Sequence, residues 1–318
     1  MRLTSFQRLA LWTTAATYFL ILVGGLVRAS GAGLGCPDWP RCFGSWIPPA
    51  SPADLPPQFD VSQFNPTLMW TEYLNRLLGV TVGFLILATT ISAWRHHRHQ
   101  PRIVWTTTIA LLLTGYQGWL GGRVVAHELA AWIVTVHMIV ALVIVQMLLY
   151  VAVRAQGARG AQGAQGARGA QGAQGAQGAP GARGARIAMV LLILVTLVQI
   201  GFGTQVRGAV DAALDAGVAR DLALGTVGRL DFLHRDLAFV VLAGSAVMCI
   251  WLMSKRAAAN VVRWSYVVLF LAILQVGLGV VMAYGSLLPA AQVGHLTVAS
   301  LLLGAETVVL LLGLRFAD

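Results

Sequence analysis

Three histidines, His137, His234 and His295, lie within apolar segments of this chain, each four to seven residues from one end of its segment. Ionisable side chains are costly to bury in such segments, and those that occur there usually face the interior of a helix bundle and serve a site. Imidazole is a common metal ligand, although a single buried histidine is more often a packing residue. Three histidines at one depth therefore favour a metal-binding site.

An internal repeat relates the surroundings of these histidines. Residues 72–76, Glu-Tyr-Leu-Asn-Arg, match residues 231–235, Asp-Phe-Leu-His-Arg. The match aligns Asn75 of the first copy with His234 of the second. The chain is therefore predicted to contain a duplicated unit.

A second matched motif aligns the other two histidines. Gln-x-x-Leu-Gly begins at Gln117 and again at Gln275, and His137 and His295 each follow 20 residues after the glutamine. No Cys or acidic residue accompanies them at the spacing of a closed zinc site. Two imidazoles from two helices suit the iron of a heme held between the helices better.

Four arginines are candidates for binding the propionates of such a heme. Arg28 and Arg207 end matching helices at one surface, and Arg76 and Arg235 follow the matched Asn and His positions. Guanidinium groups bind carboxylates through paired hydrogen bonds. The alternative is that Arg76 and Arg235 pair with the acids four residues before them.

The composition predicts an all-α polytopic membrane protein. Hydrophobic residues make up 57% of the chain and charged residues 11%, and the mean hydropathy is +0.73. These values lie outside the range of soluble domains. Apolar runs of about 20 residues are long enough to cross the hydrocarbon core. Eight such runs fall near residues 8–27, 69–93, 103–121, 131–153, 187–206, 230–253, 264–283 and 291–314.

The distribution of charge predicts the orientation. If the N-terminus is cytoplasmic, 14 of the 22 Lys and Arg residues lie on the inner side, and ten of the 12 acids lie in or beside the outer loops. Both termini are then cytoplasmic and the histidines lie toward the outer side. The net charge of +10 is explained by topology and contact with membrane lipid, not by nucleic-acid binding. With four helices per unit, the two repeats are parallel.

A low-complexity segment separates the two units. Glycine recurs at every third position from Gly157 to Gly184, mostly in Gly-Ala-Gln and Gly-Ala-Arg triplets. The pattern is formally collagen-like, but it contains a single Pro, which favours a basic linker over a triple helix. The predicted organisation is a four-helix unit at 1–153 with an outer loop at 28–68, a cytoplasmic linker at 154–186, and a second four-helix unit at 187–318.

Two cysteines lie in the predicted outer loop. Cys36 and Cys42 are six residues apart, with Pro37 and Pro40 between them. An oxidising compartment would permit a disulfide. A structural disulfide and a redox-active pair both remain possible from the sequence.

These features resemble the heme A synthases of bacteria. The resemblance rests on the loop Gly-Cys-Pro-Asp-Trp-Pro at residues 35–40, the Glu-x-x-x-Arg motif at Glu72 and Arg76, the eight apolar runs and the paired histidine positions. It covers nearly the whole chain apart from the linker. It implies a bacterial cytoplasmic-membrane enzyme that oxidises the C8 methyl of heme O to a formyl group by successive hydroxylations, in heme A biosynthesis for terminal oxidases.

The resemblance also implies roles for residues. The second half would hold a heme b through His234 and His295, and the first half would bind the substrate heme O with His137 as one ligand. Glu72 matches the catalytic acid of the family, although a salt bridge with Arg76 is an alternative role. A heme O synthase is an expected partner, and no residue identifies the electron acceptor.

One position departs from the family pattern. The commoner motif has His where this chain has Asn75, and Asn is a poor ligand for heme iron. Either the substrate heme is five-coordinate through His137, or Asn75 takes part by hydrogen bonding. A non-catalytic diheme b-type electron-transfer cytochrome is the alternative function, because it would need the histidines but not Glu72. A repeat-built transporter is disfavoured by ligands that lie away from the mid-bilayer.

Overall fold

The fold is a bundle of long α-helices, as expected where an apolar environment requires the backbone to satisfy its own hydrogen bonds. The computed structural model describes residues 3–167, 182–285 and 287–313. Within these residues there are nine α-helices and no β-strand. The helices are α1 Ser5–Ala29, α2 Pro66–His96, α3 Pro101–Ala126, α4 Ala131–Ala167, α5 Ala182–Asp215, α6 Arg220–Ala223, α7 Arg229–Ser254, α8 Ala259–Tyr284 and α9 Pro289–Gly313.

Local sequence sets where several helices begin. At α1, the Thr4 hydroxyl accepts from the Gln7 N–H at 3.0 Å, and the Gln7 side chain accepts from the Thr4 N–H at 2.8 Å, which forms a capping box. At α2, the Asn65 side chain accepts from the N–H groups of Thr67 and Leu68. Proline stands first in α2, α3 and α9, where its missing N–H costs no helical hydrogen bond.

Each of the eight predicted apolar runs overlaps one long helix. Among the described residues, seven helices are long and apolar enough to cross a membrane: α1, α2, α4, α5, α7, α8 and α9. Helix α3 has 26 residues, but its threonines and Gln117 lower its hydropathy. The chain is a multi-pass membrane protein, and the eighth span stays a prediction.

Helix α9 is the centre of the bundle. It packs against α1, α4, α5 and α8. In its most apolar stretch 67% of the residues are buried, compared with 33% or less in every other candidate span. Because α1 and α4 belong to the first half and α5 and α8 to the second, α9 joins the two halves.

The two halves also meet where α4 contacts α5. Gly208 lies so close to α4 that an added Cβ would be 2.3 Å from the Ala131 Cβ. The hydroxyls of Thr135 and Thr204 are 2.5 Å apart, and the Gln205 amide donates to the Thr135 hydroxyl at 2.7 Å. Small residues and interhelical hydrogen bonds are the usual means of helix association in membranes.

The predicted linker at 154–186 lies partly outside the described residues. Helix α4 continues into it as far as Ala167, and α5 begins within it at Ala182. Both ends of the segment are thus helical, and the rest of this prediction falls on residues that the structure does not describe.

Gly208→Ala is expected to destabilise the contact between the halves. The new methyl group would overlap Ala131, which has no flexible side chain to move aside, and overpacking of this kind costs about 1–3 kcal/mol. The measurement is thermal unfolding of the purified protein in detergent, where a lower Tm is expected. Gly201→Ala is the matched control, because no atom lies within 4 Å of a Cβ at that position of the same helix. Equal Tm values for the two variants would contradict the close contact.

Candidate functional site

The structure places His234 of α7 next to His295 of α9. Their ring centroids are 6.2 Å apart and the ring planes are inclined by 61°. Metal–imidazole bonds are about 2 Å long, so two imidazole rings that bind one ion from opposite sides have their centroids roughly 6 Å apart. The spacing of the pair would allow both imidazoles to hold one heme iron.

A hydrogen bond orients the His234 ring. Its Nδ1 lies 3.1 Å from the carbonyl oxygen of Gln199 on α5. With the proton on Nδ1 donated to that carbonyl, Nε2 is the nitrogen that carries the lone pair for a metal. The ring also packs on Gly203, where an added Cβ would lie 2.8 Å from the His234 Cε1. Sequence reasoning did not identify Gln199, although its position one turn before Gly203 places it on the same helix face.

The same histidine packing occurs in both halves. A Cβ at Gly279 would lie 3.5 Å from the His295 Cε1, and a Cβ at Gly121 would lie 3.8 Å from the His137 Cε1. In the first half, the Gln117 amide also donates to the His137 carbonyl at 2.8 Å. The aligned Gln-x-x-Leu-Gly motifs thus fold into equivalent local environments.

The first half differs where Asn75 replaces a histidine. The Asn75 Oδ1 and the His137 Nδ1 are both buried and have no hydrogen-bond partner among the described residues. Gly24 corresponds to Gly203, because each stands four residues before an arginine, Arg28 or Arg207. The His234 ring fills the space at Gly203, whereas no atom lies within 4 Å of a Cβ at Gly24. Unpartnered buried polar atoms are rare in native proteins. They fit a pocket that receives a polar or metal-bearing ligand.

Glu72 lies three residues before Asn75 on α2 and is held from two sides. The residue is 5% exposed. Oε2 accepts from the Cys36 N–H at 2.8 Å, and Oε1 accepts from Arg76 Nη2 at 2.5 Å and Nε at 3.2 Å. The salt bridge that the sequence offered as an alternative role is present, and it fixes the carboxylate.

Arg76 uses all five of its N–H groups within the protein. Besides its two bonds to Glu72, it donates to the carbonyl oxygens of Asp38 and Arg41 at 2.8 Å and of Cys36 at 3.2 Å. The guanidinium therefore ties the outer loop to α2. Its predicted contact with a propionate would require the exchange of one of these bonds.

The outer loop is closed by the Cys36–Cys42 disulfide, which confirms that pairing. Both sulfurs are fully buried. Gly35 is pressed against α2, where an added Cβ would lie 2.4 Å from the Leu68 carbonyl oxygen. Trp39 packs on Gly122, the neighbour of the glycine that touches His137. The loop thus covers the first-half site and positions Glu72.

The remaining three predicted arginines are paired with acids. Arg28 and Arg207 bind the two oxygens of Asp211 at 2.6 and 2.7 Å, which links α1 to α5. Arg235 binds Asp231, four residues before it, at 2.6 Å. This ion pair is the alternative role that the sequence offered for Arg235. Asp211 was missed from the sequence, although its position four residues after Arg207 marks an i,i+4 ion pair.

Comparison with known proteins identifies the family. The model of the family described as "Cytochrome oxidase assembly protein" (COX15-CtaA) matches residues 7–307. The chain belongs to this family.

Several curated relatives of the chain share one name, heme A synthase. The chain is 30% identical over 132 residues to a protein of Shouchella clausii named heme A synthase, covering 41% of this chain and 39% of the relative. It is 34% identical over 124 residues to the heme A synthase of Geobacillus kaustophilus, covering 39% and 34%. With that of Shewanella oneidensis, identity is 28% over 162 residues, covering 49% and 46%. The chain thus spans less than half the length of these relatives.

Gly203→Ala tests the expectation that His234 and His295 hold a heme in the second half. The added methyl group would overlap the His234 ring and move it from its position opposite His295. The measurement is extracted heme B per protein after purification, for which a loss of more than half is expected.

Gly201→Ala is the control for this variant, because it adds a methyl group two residues away where no atom lies within 4 Å. It should retain heme B at the wild-type level. Equal retention in Gly203→Ala would argue against His234 as a ligand.

Proposed function

We propose that this protein is a heme A synthase, which oxidises the C8 methyl group of heme O to a formyl group by successive hydroxylations. Membership of the COX15-CtaA family and relatives named heme A synthase support this function. The observation that carries it at the site is the pair of adjacent histidines in one half, matched by Asn75 and His137 in the other. The oxidation serves heme A biosynthesis for terminal oxidases.

In the proposed topology, eight helices cross the bacterial cytoplasmic membrane as two parallel four-helix repeats, with both termini cytoplasmic. Helix α3 supplies the additional span, because its 26 residues extend about 39 Å and a hydrocarbon core is about 30 Å thick. The asymmetric distribution of acids and bases supports heme sites toward the outer side.

The second half is proposed to hold heme b through His234 and His295. The Gln199 carbonyl, 3.1 Å from the His234 Nδ1, would favour the tautomer that leaves Nε2 for the iron. When bound, heme b supplies one-electron redox chemistry. Arg28, Arg207 and Arg235 are the proposed propionate contacts, with Asp211 and Asp231 as their partners in this structure.

The first half is proposed to bind heme O, with His137 as a ligand of its iron and Asn75 on the opposite side. An Asn side chain can hydrogen-bond a small molecule but binds iron poorly, which leaves that face of the substrate accessible. Glu72 is the proposed catalytic residue. A carboxylate at the edge of the substrate can accept a proton or stabilise developing positive charge, and Arg76 and the Cys36 N–H set its orientation.

Glu72→Gln is expected to reduce conversion of heme O by at least tenfold, because an amide cannot accept the proton. The amide has one acceptor oxygen, so it keeps either the hydrogen bond from the Cys36 N–H or those from Arg76. The matched control is Asp231→Asn, which makes the same change at the aligned position of the second half. Conversion is measured by chromatography and mass detection of extracted hemes. A similar loss in both variants would argue for structural roles for both acids.

Asn75→His is expected to preserve heme loading and slow turnover. The imidazole would give the substrate iron a second strong ligand and close the face that Asn75 leaves accessible. Loading is measured as extracted heme per protein and turnover as heme A formed over time. Unchanged turnover would contradict the role assigned to Asn75.

The function itself is tested by expressing the chain in cells that supply heme O and analysing the hemes that copurify. Heme B together with heme O and its hydroxylated or formyl products is the expected result. Heme B alone, with heme O unchanged in the cells, would instead indicate a non-catalytic diheme cytochrome. Supply of heme O by a heme O synthase is the proposed partnership, since the substrate is too apolar to move freely through water.

A further inference from the structure

Two large apolar side chains project from a fixed turn of the outer loop. Trp46 is 65% exposed and Ile47 is 73% exposed, whereas Phe43, just before them, is fully buried. The Cys42 N–H donates to the Ser45 carbonyl oxygen at 2.9 Å, and the Ser45 N–H donates to the Cys42 carbonyl oxygen at 3.2 Å. Contiguous apolar surface that is exposed in this way marks contact with a protein or a membrane.

One face of α2 shows which surface of the bundle meets lipid. Large apolar side chains that are 39–66% exposed recur along the helix at intervals of three, four or seven residues, as on the lipid-facing side of a membrane span. Trp70 and Trp94, at the ends of this face, are 24 residues apart, which is about 36 Å along the helix. That spacing suits the two interfaces of a hydrocarbon core about 30 Å thick. The side chains of this face are Trp70, Leu74, Leu77, Phe84, Ile91 and Trp94.

The exposed turn lies beside the Trp70 end of this face. Tyr73 packs edge-on against Trp70, with ring centroids 5.6 Å apart. The Tyr73 hydroxyl donates to the Trp46 carbonyl oxygen at 2.7 Å. The surface of Trp46 and Ile47 is therefore continuous with the interfacial end of α2. Tryptophan and tyrosine are enriched where a protein meets lipid headgroups, so this continuity indicates contact with the bilayer.

A cation stands next to the two apolar side chains. Arg41 is exposed, and its Cζ lies 5.5 Å from the centroid of the Trp46 ring. Its Nη1 donates to the Gly44 carbonyl oxygen at 3.4 Å. No acid in the described part of the chain forms an ion pair with Arg41. Its other N–H groups can therefore bind a phosphate, which guanidinium groups do through paired hydrogen bonds.

We propose that Arg41, Trp46 and Ile47 form an anchor that binds phospholipid on the loop side of the membrane. Trp46 and Ile47 enter the boundary between headgroups and acyl chains, and Arg41 binds a lipid phosphate. Apolar side chains beside a basic one are typical of segments that lie in this boundary. A second copy of the chain or another protein is the alternative cover, and the position of the turn at the end of the lipid-facing side of α2 favours lipid.

The anchored segment is also the part of the loop that holds Glu72. The Arg41 carbonyl oxygen accepts from Arg76 Nη1 at 2.8 Å, and Arg76 binds the Glu72 carboxylate. Lipid contact at Arg41 therefore limits the motion of the backbone that fixes this acid. The anchor goes beyond the proposed function, because it holds the loop in place whichever reaction the protein catalyses.

The anchor is tested with a bimane label at Ile47→Cys in the full-length protein, with its bound heme, in nanodiscs. Some nanodiscs contain lipids brominated near the headgroup end of the acyl chains, and quenching is measured against the same variant in unbrominated lipid. Ala53→Cys is the matched control, because Ala53 is an exposed residue of the same loop. Cys36 and Cys42 form a disulfide and Cys249 is buried, so each variant offers one reactive thiol.

Brominated lipid is expected to quench the label at Ile47 at least threefold more than the label at Ala53, and aqueous iodide should show the reverse preference. Quenching at Ile47 by iodide alone would place the turn in water. Protection of the Ile47 label from both quenchers would show that protein covers the turn. Either of these two results would overturn the proposal.

The role of Arg41 is tested by adding phosphatidylglycerol to the same nanodiscs. The anionic lipid should raise quenching at Ile47 by brominated lipid about twofold in the wild-type background, and Arg41→Gln should abolish the increase. Arg123→Gln is the matched control, because it removes an exposed positive charge at the end of α3 without changing the loop. An increase that is absent in the wild type, or equal in the two variants, would contradict phosphate binding by Arg41.

Amide hydrogen exchange in nanodiscs tests the effect on the loop. Ile47→Asp places a charge in the anchor and should raise the exchange rates of residues 36–46 at least threefold. Ala53→Asp adds the same charge elsewhere in the loop and should leave these rates unchanged. Equal rates in the two variants would sink the idea that lipid contact holds the loop.

Discussion

The constraint on which this structure depends is that polar groups in an apolar bundle must find partners within the protein. Helical threonines meet it by bonding back to the preceding turn, as Thr14 does to the Ala10 carbonyl at 2.7 Å and Thr17 to that of Thr13 at 2.8 Å. Against this background, the polar atoms that have no partner are informative. Those of Asn75 and His137 lie at the site of the first half.

Duplication explains how one scaffold carries two related sites. The aligned glycines Gly121 and Gly279 lie against His137 and His295 in the two halves. The halves differ at the other aligned position, which is Asn75 in the first half and His234 in the second. In the second half, His234 fills the space above Gly203 and lies next to His295. In the first half, the smaller Asn75 leaves one side of the site without a strong iron ligand. Under the proposed function, the second half is the saturated electron-transfer site and the first half is the reactive site.

The outer loop is what makes the first half chemically distinct. Arg76 joins Glu72 to three backbone carbonyls of the loop, and the Cys36 N–H binds the other oxygen of the same carboxylate. The aligned acid of the second half, Asp231, has its ion pair with Arg235 and no such loop. The position of Glu72 therefore depends on the loop as much as on its own helix.

The sequence by itself determined the positions of the long helices, the alignment of the two copies and the histidines that pair. These follow from hydrophobic length, prolines and motif spacing, which act over short stretches of chain. Only the tertiary structure decided that the Gln199 carbonyl lies against His234, that Asp211 joins Arg28 to Arg207, and that the Cys36 N–H binds Glu72. Each of these depends on how helices distant in sequence are rotated against one another, and a pattern within one helix carries no information about the facing side chains of its neighbours.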